Sequence, residues 1–142
     1  MAMPVLTLAV GKTWLGVPMA NVLEVLGPQD SRPASGGPGG ALEFHGPAAA
    51  PVADLRALMG LPPRAPGRAP WCVVAGERAR ATRLLVDWVG GAMRLRPDWL
   101  DREPKFVDSW LGEVAAGVYR LDATSLFVLD VSRLADLRRA AA

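Results

Sequence analysis

One cysteine, one histidine and one tyrosine stand in a chain of 142 residues. The lone thiol, Cys72, rules out an intramolecular disulfide. Its setting in "WCVVAG" predicts a small buried hydrophobe, in keeping with a reducing compartment. The lone histidine, His45, has no His, Cys or carboxylate neighbours at ligand spacing, so neither a metal site nor a Ser-His or Cys-His pairing can be assembled around it. Charge of one sign is also scarce. The formal net charge is only +2, which puts no strong basic excess behind a nucleic-acid role. No uncharged apolar run approaches the roughly 18 residues that span a bilayer. The apolar start, "MAMPVLTLAV", lacks a basic leader and reads as a strand, and the cytoplasm is the expected location.

Two short motifs invite a phosphate-loop reading and fail it. "GKT" (Gly11, Lys12, Thr13) follows an apolar strand, but the required first glycine would fall on Leu6, and "WLGVP" does not start a helix. "SGGPGG" (Ser35 to Gly40) has no strand leading in. The acids Asp98, Asp101 and Glu103 read as charges on a solvated connector. The arginines Arg78, Arg80 and Arg83, and Arg133, Arg138 and Arg139, are interleaved with acids and read as solvated faces rather than a phosphate track. No acid, base and nucleophile can be assembled, so the chain is expected to be no enzyme and to need no cofactor.

What is present in quantity is hydrophobic residues, at 51%, arranged in short runs rich in strand formers. Val5 to Val10 and Thr13 to Val17 read as a hairpin about Gly11-Lys12. Met19 to Asn21 read as a helical turn, and Val22 to Leu26 as a strand. A glycine- and proline-rich loop follows over residues 28 to 40, and Ala41 to Phe44 as a brief strand. "PVADLR" (Pro51 to Arg56) reads as a strand and corner with Val52 and Leu55 in the core, and with Asp54 and Arg56 fixing the corner by hydrogen bonds. A short helix then ends at Gly60. Later come strands at Trp71 to Ala75 and Arg83 to Val89, a turn at Gly90-Gly91, an alternating Met93 to Arg96, a hairpin around Ala123-Thr124-Ser125, and a last helix capped by Asp130 or Ser132. Nine or ten short strands with few helices favour small barrels over a doubly wound sheet.

Four stretches, "VPMANVLEVLG", "HGPAAAPVADLRALMGLP", "RLLVDWVGGAMRLRPDWL" and "GVYRLDATSLFVLDVSRL", together resemble the CheW-like domain of bacterial chemosensory proteins. The matching residues are Val17-Pro18, Glu24-Val25, Gly46, Pro51-Val52, Asp54-Leu55-Arg56, Val86-Asp87, Val89 and Leu129-Asp130-Val131. The resemblance covers nearly the whole chain in order. It implies a single domain over residues 1–142, mainly β, made of two intertwined five-stranded SH3-like barrels around a shared apolar core, with short helices including one at the C-terminus.

It further implies a non-enzymatic adaptor coupling chemoreceptor tips to the regulatory domain of a CheA-type histidine kinase, other CheW-like proteins being further partners. His45, Gly46, Val86, Trp88 and Val89 are the expected receptor-binding residues. Val22, Glu24 and Leu26 are the expected kinase-facing residues if Leu23 and Val25 point inward; a one-residue shift would exchange the two sets. His45 replaces the arginine usual before that glycine, and "PAAA" (Pro47 to Ala50) replaces larger residues, so the coupler is a divergent one. A coupler that binds receptors but not the kinase is one alternative. A small ligand- or nucleic-acid-binding barrel using Trp14, Trp71 and Trp88 beside arginines is another.

Overall fold

The computed structural model describes residues 2–28, 50–106 and 109–141. Nine strands lie among them. β1 (Met3–Val10) and β2 (Thr13–Pro18) form the expected hairpin, with Val10 opposite Thr13 and Gly11 at φ +59°. A 3-10 turn, Met19–Asn21, carries the chain into β3 (Val22–Leu26). β4 (Val52–Asp54) runs into α1 (Leu55–Leu58), and β5 (Trp71–Ala75), β6 (Thr82–Val86) and β7 (Trp88–Leu95) follow. α2 (Ser109–Val114), β8 (Ala115–Arg120), β9 (Ser125–Leu129) and α3 (Val131–Ala141) complete the chain. Almost all of the loop expected over 28 to 40, and the strand expected at Ala41 to Phe44, fall outside the described residues.

The strands make two sheets, one of five in the order β7-β1-β2-β9-β8 and one of four in the order β3-β5-β6-β4. The mainly β, two-barrel architecture is therefore as expected, with four strands rather than five described in the second sheet. Its logic follows from alternation. In β1, Leu6, Leu8 and Val10 point to one face and Val5 to the other, and all four are buried. Both faces of such a strand must be covered, which is why "VLTLAV" is nearly all apolar instead of alternating with charges. Leu6, Leu8, Val10, Leu15 and Val17 of the first sheet meet Ala53, Val73, Ala75, Leu84 and Val86 of the second in a shared core. Each sheet also wraps a smaller cluster of its own: Val5, Leu95, Leu126 and Val128 in the first, Leu26, Ala50, Cys72, Val74 and Ala81 in the second. The buried thiol of Cys72 has its pKa pushed up to about 12 by desolvation, so it stays a protonated, small apolar group.

Three local expectations are corrected. Gly90-Gly91 is not a turn; it lies inside β7, where the register against β1 slips between Thr7 and Leu8. Gly91, at φ +106°, supplies the backbone conformation that this bulge needs. Arg83 to Val89 is not one strand, because at Asp87 the chain leaves the second sheet and joins the first. Val52 is not core: β4 alternates on a sheet edge, so Ala53 points inward and Val52 is 38% exposed, while Leu55 is fully buried.

Gly76, just after β5, is a position of high expected sensitivity. Its φ is +123°, and a Cβ there would lie 2.7 Å from the carbonyl oxygen of Arg80, a backbone atom that cannot swing away. Its amide also donates to the Asn21 carbonyl at 2.8 Å, tying the second sheet to the turn between the two sheets. Gly76→Ala is expected to cost about 2 kcal/mol or more, seen as a lowered denaturant midpoint at unchanged m-value.

Candidate functional site

The "PVADLR" corner and the crossover between sheets meet at one carboxylate. Asp54 ends β4 and caps α1, its Oδ1 accepting from the Arg56 amide at 3.1 Å. That cap fixes where the Arg56 side chain leaves the backbone. Arg56 Nε donates to the Pro62 carbonyl at 2.7 Å, and its Nη1 reaches Asp87 Oδ2 at 2.7 Å. Arg64, from the proline-rich connection, places Nε 3.0 Å from Asp87 Oδ1 and donates from Nη1 to both Asp54 oxygens at 3.1 and 3.2 Å. The amide of Gly11, in the β1–β2 turn, donates to Asp87 Oδ2 at 2.7 Å. Burial alone would raise the Asp87 pKa. The Gly11 N–H, the Arg56 hydrogen bond and the charges of Arg56 and Arg64 outweigh it and hold the carboxyl below its ordinary value. One side chain thus binds the first hairpin, the α1 corner and the connection to the point where the chain changes sheets. The corner is held by hydrogen bonds from Asp54 and Arg56, as the sequence predicts; Arg64 gave no periodic signal in its proline-rich setting and was not anticipated.

Next to this hub stands Trp88, 46% exposed. It pairs across the sheet with Ala9, and Ala9 pairs with Trp14. The small residue between them lets the two indoles meet edge to face, with centroids 5.6 Å apart at 79°. Gly90 completes the arrangement: a Cβ there would sit 2.6 Å from the Trp88 ring and 2.6 Å from Thr7 Oγ1. Thr7 Oγ1 in turn donates to the Gly91 carbonyl at 2.9 Å.

The receptor-binding set expected from sequence is only partly brought together. Val86 is fully buried in the shared core, and Val89 packs half-buried against the same core. Trp88, one residue from Val89, points to the opposite face of β7. His45 and Gly46 lie outside the described residues.

The kinase-facing set is reversed and split. Leu23 and Val25 are the exposed residues of β3, at 38% and 39%, whereas Leu26 is only 7% exposed. The cause is a β-bulge: Val22 pairs with Ala75, Glu24 with Val74 and Leu26 with Cys72, leaving Leu23 as the extra residue. Val22 therefore packs on the shared core, and Leu26 joins the second sheet's own cluster. Strict alternation cannot anticipate a bulge, so the sequence pattern placed three residues on one face that the structure divides between two.

Other candidates are structural or dispersed. Trp71 packs against the shared core on the other sheet from Trp14 and Trp88, so the three tryptophans form no common stacking track. Asp98 pairs with Arg96 at an exposed site, and Arg80 pairs with Asp136. A cleft of about 330 Å³ lies where Pro18, Asn21, Gly76 and Arg80 face Asp130 and Ser132 at the start of α3. Among the described residues, no three His, Cys, Asp or Glu side chains gather as a metal site, and no helix is long and apolar enough to cross a membrane.

Comparison with known proteins supplies the family. The sequence model of the CheW-like domain matches residues 4–139, spanning both sheets and α3. The chain belongs to the CheW-like family. Among solved structures, the scaffolding protein TtCheW from Thermoanaerobacter tengcongensis is similar, with a TM-score of 0.68 at 16% identity, covering 92% of this chain and 90% of that one. At that identity the likeness speaks to the fold. A search of curated proteins finds no significant match. Within the CheW-like frame, the Pro51–Arg56 corner and the Val86-Asp87 strand end, two of the stretches that carried the resemblance, are the two halves of the Asp87 hub.

Proposed function

We propose that this protein is a non-enzymatic cytoplasmic adaptor that couples chemoreceptor tips to the regulatory domain of a CheA-type histidine kinase. The observation that carries this reading is the family match over residues 4–139. The site geometry supports it. Trp88, the most exposed of the large apolar side chains among the described residues, sits beside the Asp87 hub, and Leu23 and Val25 are exposed along β3, at the edge of its described sheet. Aromatic anchors of this kind, held in place before binding, dominate protein interfaces. Trp88 faces the receptor, with His45 and Gly46 assigned to the same role by the resemblance and Val86 and Val89, on the core side of their strands, supporting it from within. Leu23 and Val25 take the kinase-facing role first given to Val22, Glu24 and Leu26.

Such coupling needs only modest contacts. A micromolar contact is worth about −8 kcal/mol, and interfaces under about 1,200 Å² are typically transient. Repetition in an array converts weak contacts into avidity. The adaptor transmits a signal where its partners' on and off states differ in contact energy with its surface.

The test is co-purification with a receptor tip and, separately, with the kinase regulatory domain. Both are expected to bind, and Trp88→Ala is expected to weaken the receptor tip tenfold or more while sparing the kinase domain. Binding to neither partner defeats the proposal. A second reading is a coupler that binds receptors but not the kinase, for which only the receptor arm would succeed.

A further inference from the structure

The Asp87 hub contains more guanidinium than its carboxylates use. Arg56, Arg64 and Arg68 line one cleft of about 190 Å³ with Ala65, Ala69 and Asp87. The Arg64 side chain is 14% exposed; its Nε and Asp87 Oδ1 meet at 3.0 Å as an ion pair without hydrogen-bond geometry, and its Nη2 is shut off from solvent with no acceptor among the described residues. Buried donors in native proteins are nearly always matched, so an orphan of this kind points to a group that completes it. Arg68 enters no ion pair among the described residues, although it faces the same cleft. Three guanidiniums, Arg56, Arg64 and Arg68, stand against two carboxylates, Asp54 and Asp87, which leaves one positive charge uncompensated.

The geometry points to a carboxylate-binding site in this cleft, lined by residues other than those assigned to the receptor and kinase surfaces. The class of ligand follows from charge, size and shape. One excess positive charge matches a monoanion, whereas a phosphate dianion would reverse the sign of the site. A volume near 190 Å³ admits the end of a glutamate or aspartate side chain or a small free acid, not a nucleotide. The planar fork of a guanidinium fits two carboxylate oxygens at once. A bound carboxylate would bridge the proline-rich connection, through Arg64 and Arg68, to the α1 corner, through Arg56. Occupancy should therefore stiffen the corner and protect the fold.

The test is a titration of the folded protein with sodium acetate at constant ionic strength, with sodium chloride as the balancing salt. It is followed by the arginine Nε–Hε signals in proton–nitrogen NMR and by thermal melting. The expected result is saturable movement of the Arg64 and Arg68 signals in the millimolar range, a rise in Tm with acetate over chloride, and at least a fivefold weakening in Arg68→Gln. Because Arg68 holds no structural ion pair, that variant should melt like the parent without acetate. A second arm replaces acetate with a short glutamate-containing peptide. Binding tenfold tighter than acetate assigns the site to a partner's acidic side chain, and equal binding assigns it to a free acid. Linear, unsaturated shifts, an equal effect of chloride, or affinity unchanged in Arg68→Gln would overturn the inference.

Discussion

Asp87→Ala is expected to lower stability by about 2–3 kcal/mol and to loosen both sheets at once. The substitution removes the acceptor of the Gly11 amide and leaves Arg56 with the Pro62 carbonyl and Arg64 with Asp54, in side chains only 19% and 14% exposed. Removing one partner of a fully buried pair typically costs about 3–5 kcal/mol; the residual solvent contact here brings the figure down. Against a typical total of about 5–15 kcal/mol, this is a large fraction. Asp87→Asn separates shape from charge, since an amide oxygen can still accept from Gly11. The pH dependence then isolates the charge. The folded-state pKa of Asp87 lies below its ordinary value, so the folded form takes up this proton less readily than the unfolded chain. Its contribution is complete above the unfolded value of about 3.9 and is lost as the pH falls through the lower folded value. Chemical denaturation between pH 7 and pH 2.5 should show the parent losing more stability over the acid limb than Asp87→Asn. Parallel acid limbs would deny the hub its electrostatic role.

The residues that were legible from sequence are those whose environment is set locally. The β1–β2 hairpin follows from two strand-forming runs about Gly11. The α1 corner follows from an aspartate that caps its own helix, and the C-terminal helix from Asp130, whose Oδ1 accepts from the Arg133 amide at 3.2 Å. What was misread depends on partners distant in the chain. Gly90-Gly91 has the composition of a turn, and only pairing with β1 makes it a bulged strand. The sheet change at Asp87 is not signalled in the sequence, where one aspartate interrupts an apolar run and no glycine or proline marks a break. Asp87 itself stood out within the family stretch, but its anchoring role depends on Arg64, whose side chain returns from a proline-rich segment with no periodicity to read. Sequence groups Trp14 and Trp88 with Trp71; that the first two touch depends on Ala9 lying between them in register.

The bulge in β3 gives the sharpest contrast between neighbouring positions. Leu26→Asp would place a carboxylate in the second sheet's cluster beside Cys72 and Val74, at a position only 7% exposed. Losing the leucine and taking a charge out of water should cost about 3 kcal/mol, lessened by the Arg83 charge that reaches Cys72, and produce a protein that melts early or expresses poorly. Leu23→Asp with Val25→Asp alters two exposed positions on an edge strand and should change stability by about 0.5 kcal/mol each at most. If Leu23 and Val25 are the kinase-facing residues, the same pair should weaken the kinase regulatory domain tenfold or more, about 1.4 kcal/mol, with receptor-tip binding unchanged. Thermal melts and two separate titrations supply every quantity needed. The opposite pattern, a harmless Leu26→Asp and a collapsing double variant, would require β3 to run without its bulge. A stable double variant with full kinase affinity would keep the bulge and move the kinase contact off this strand.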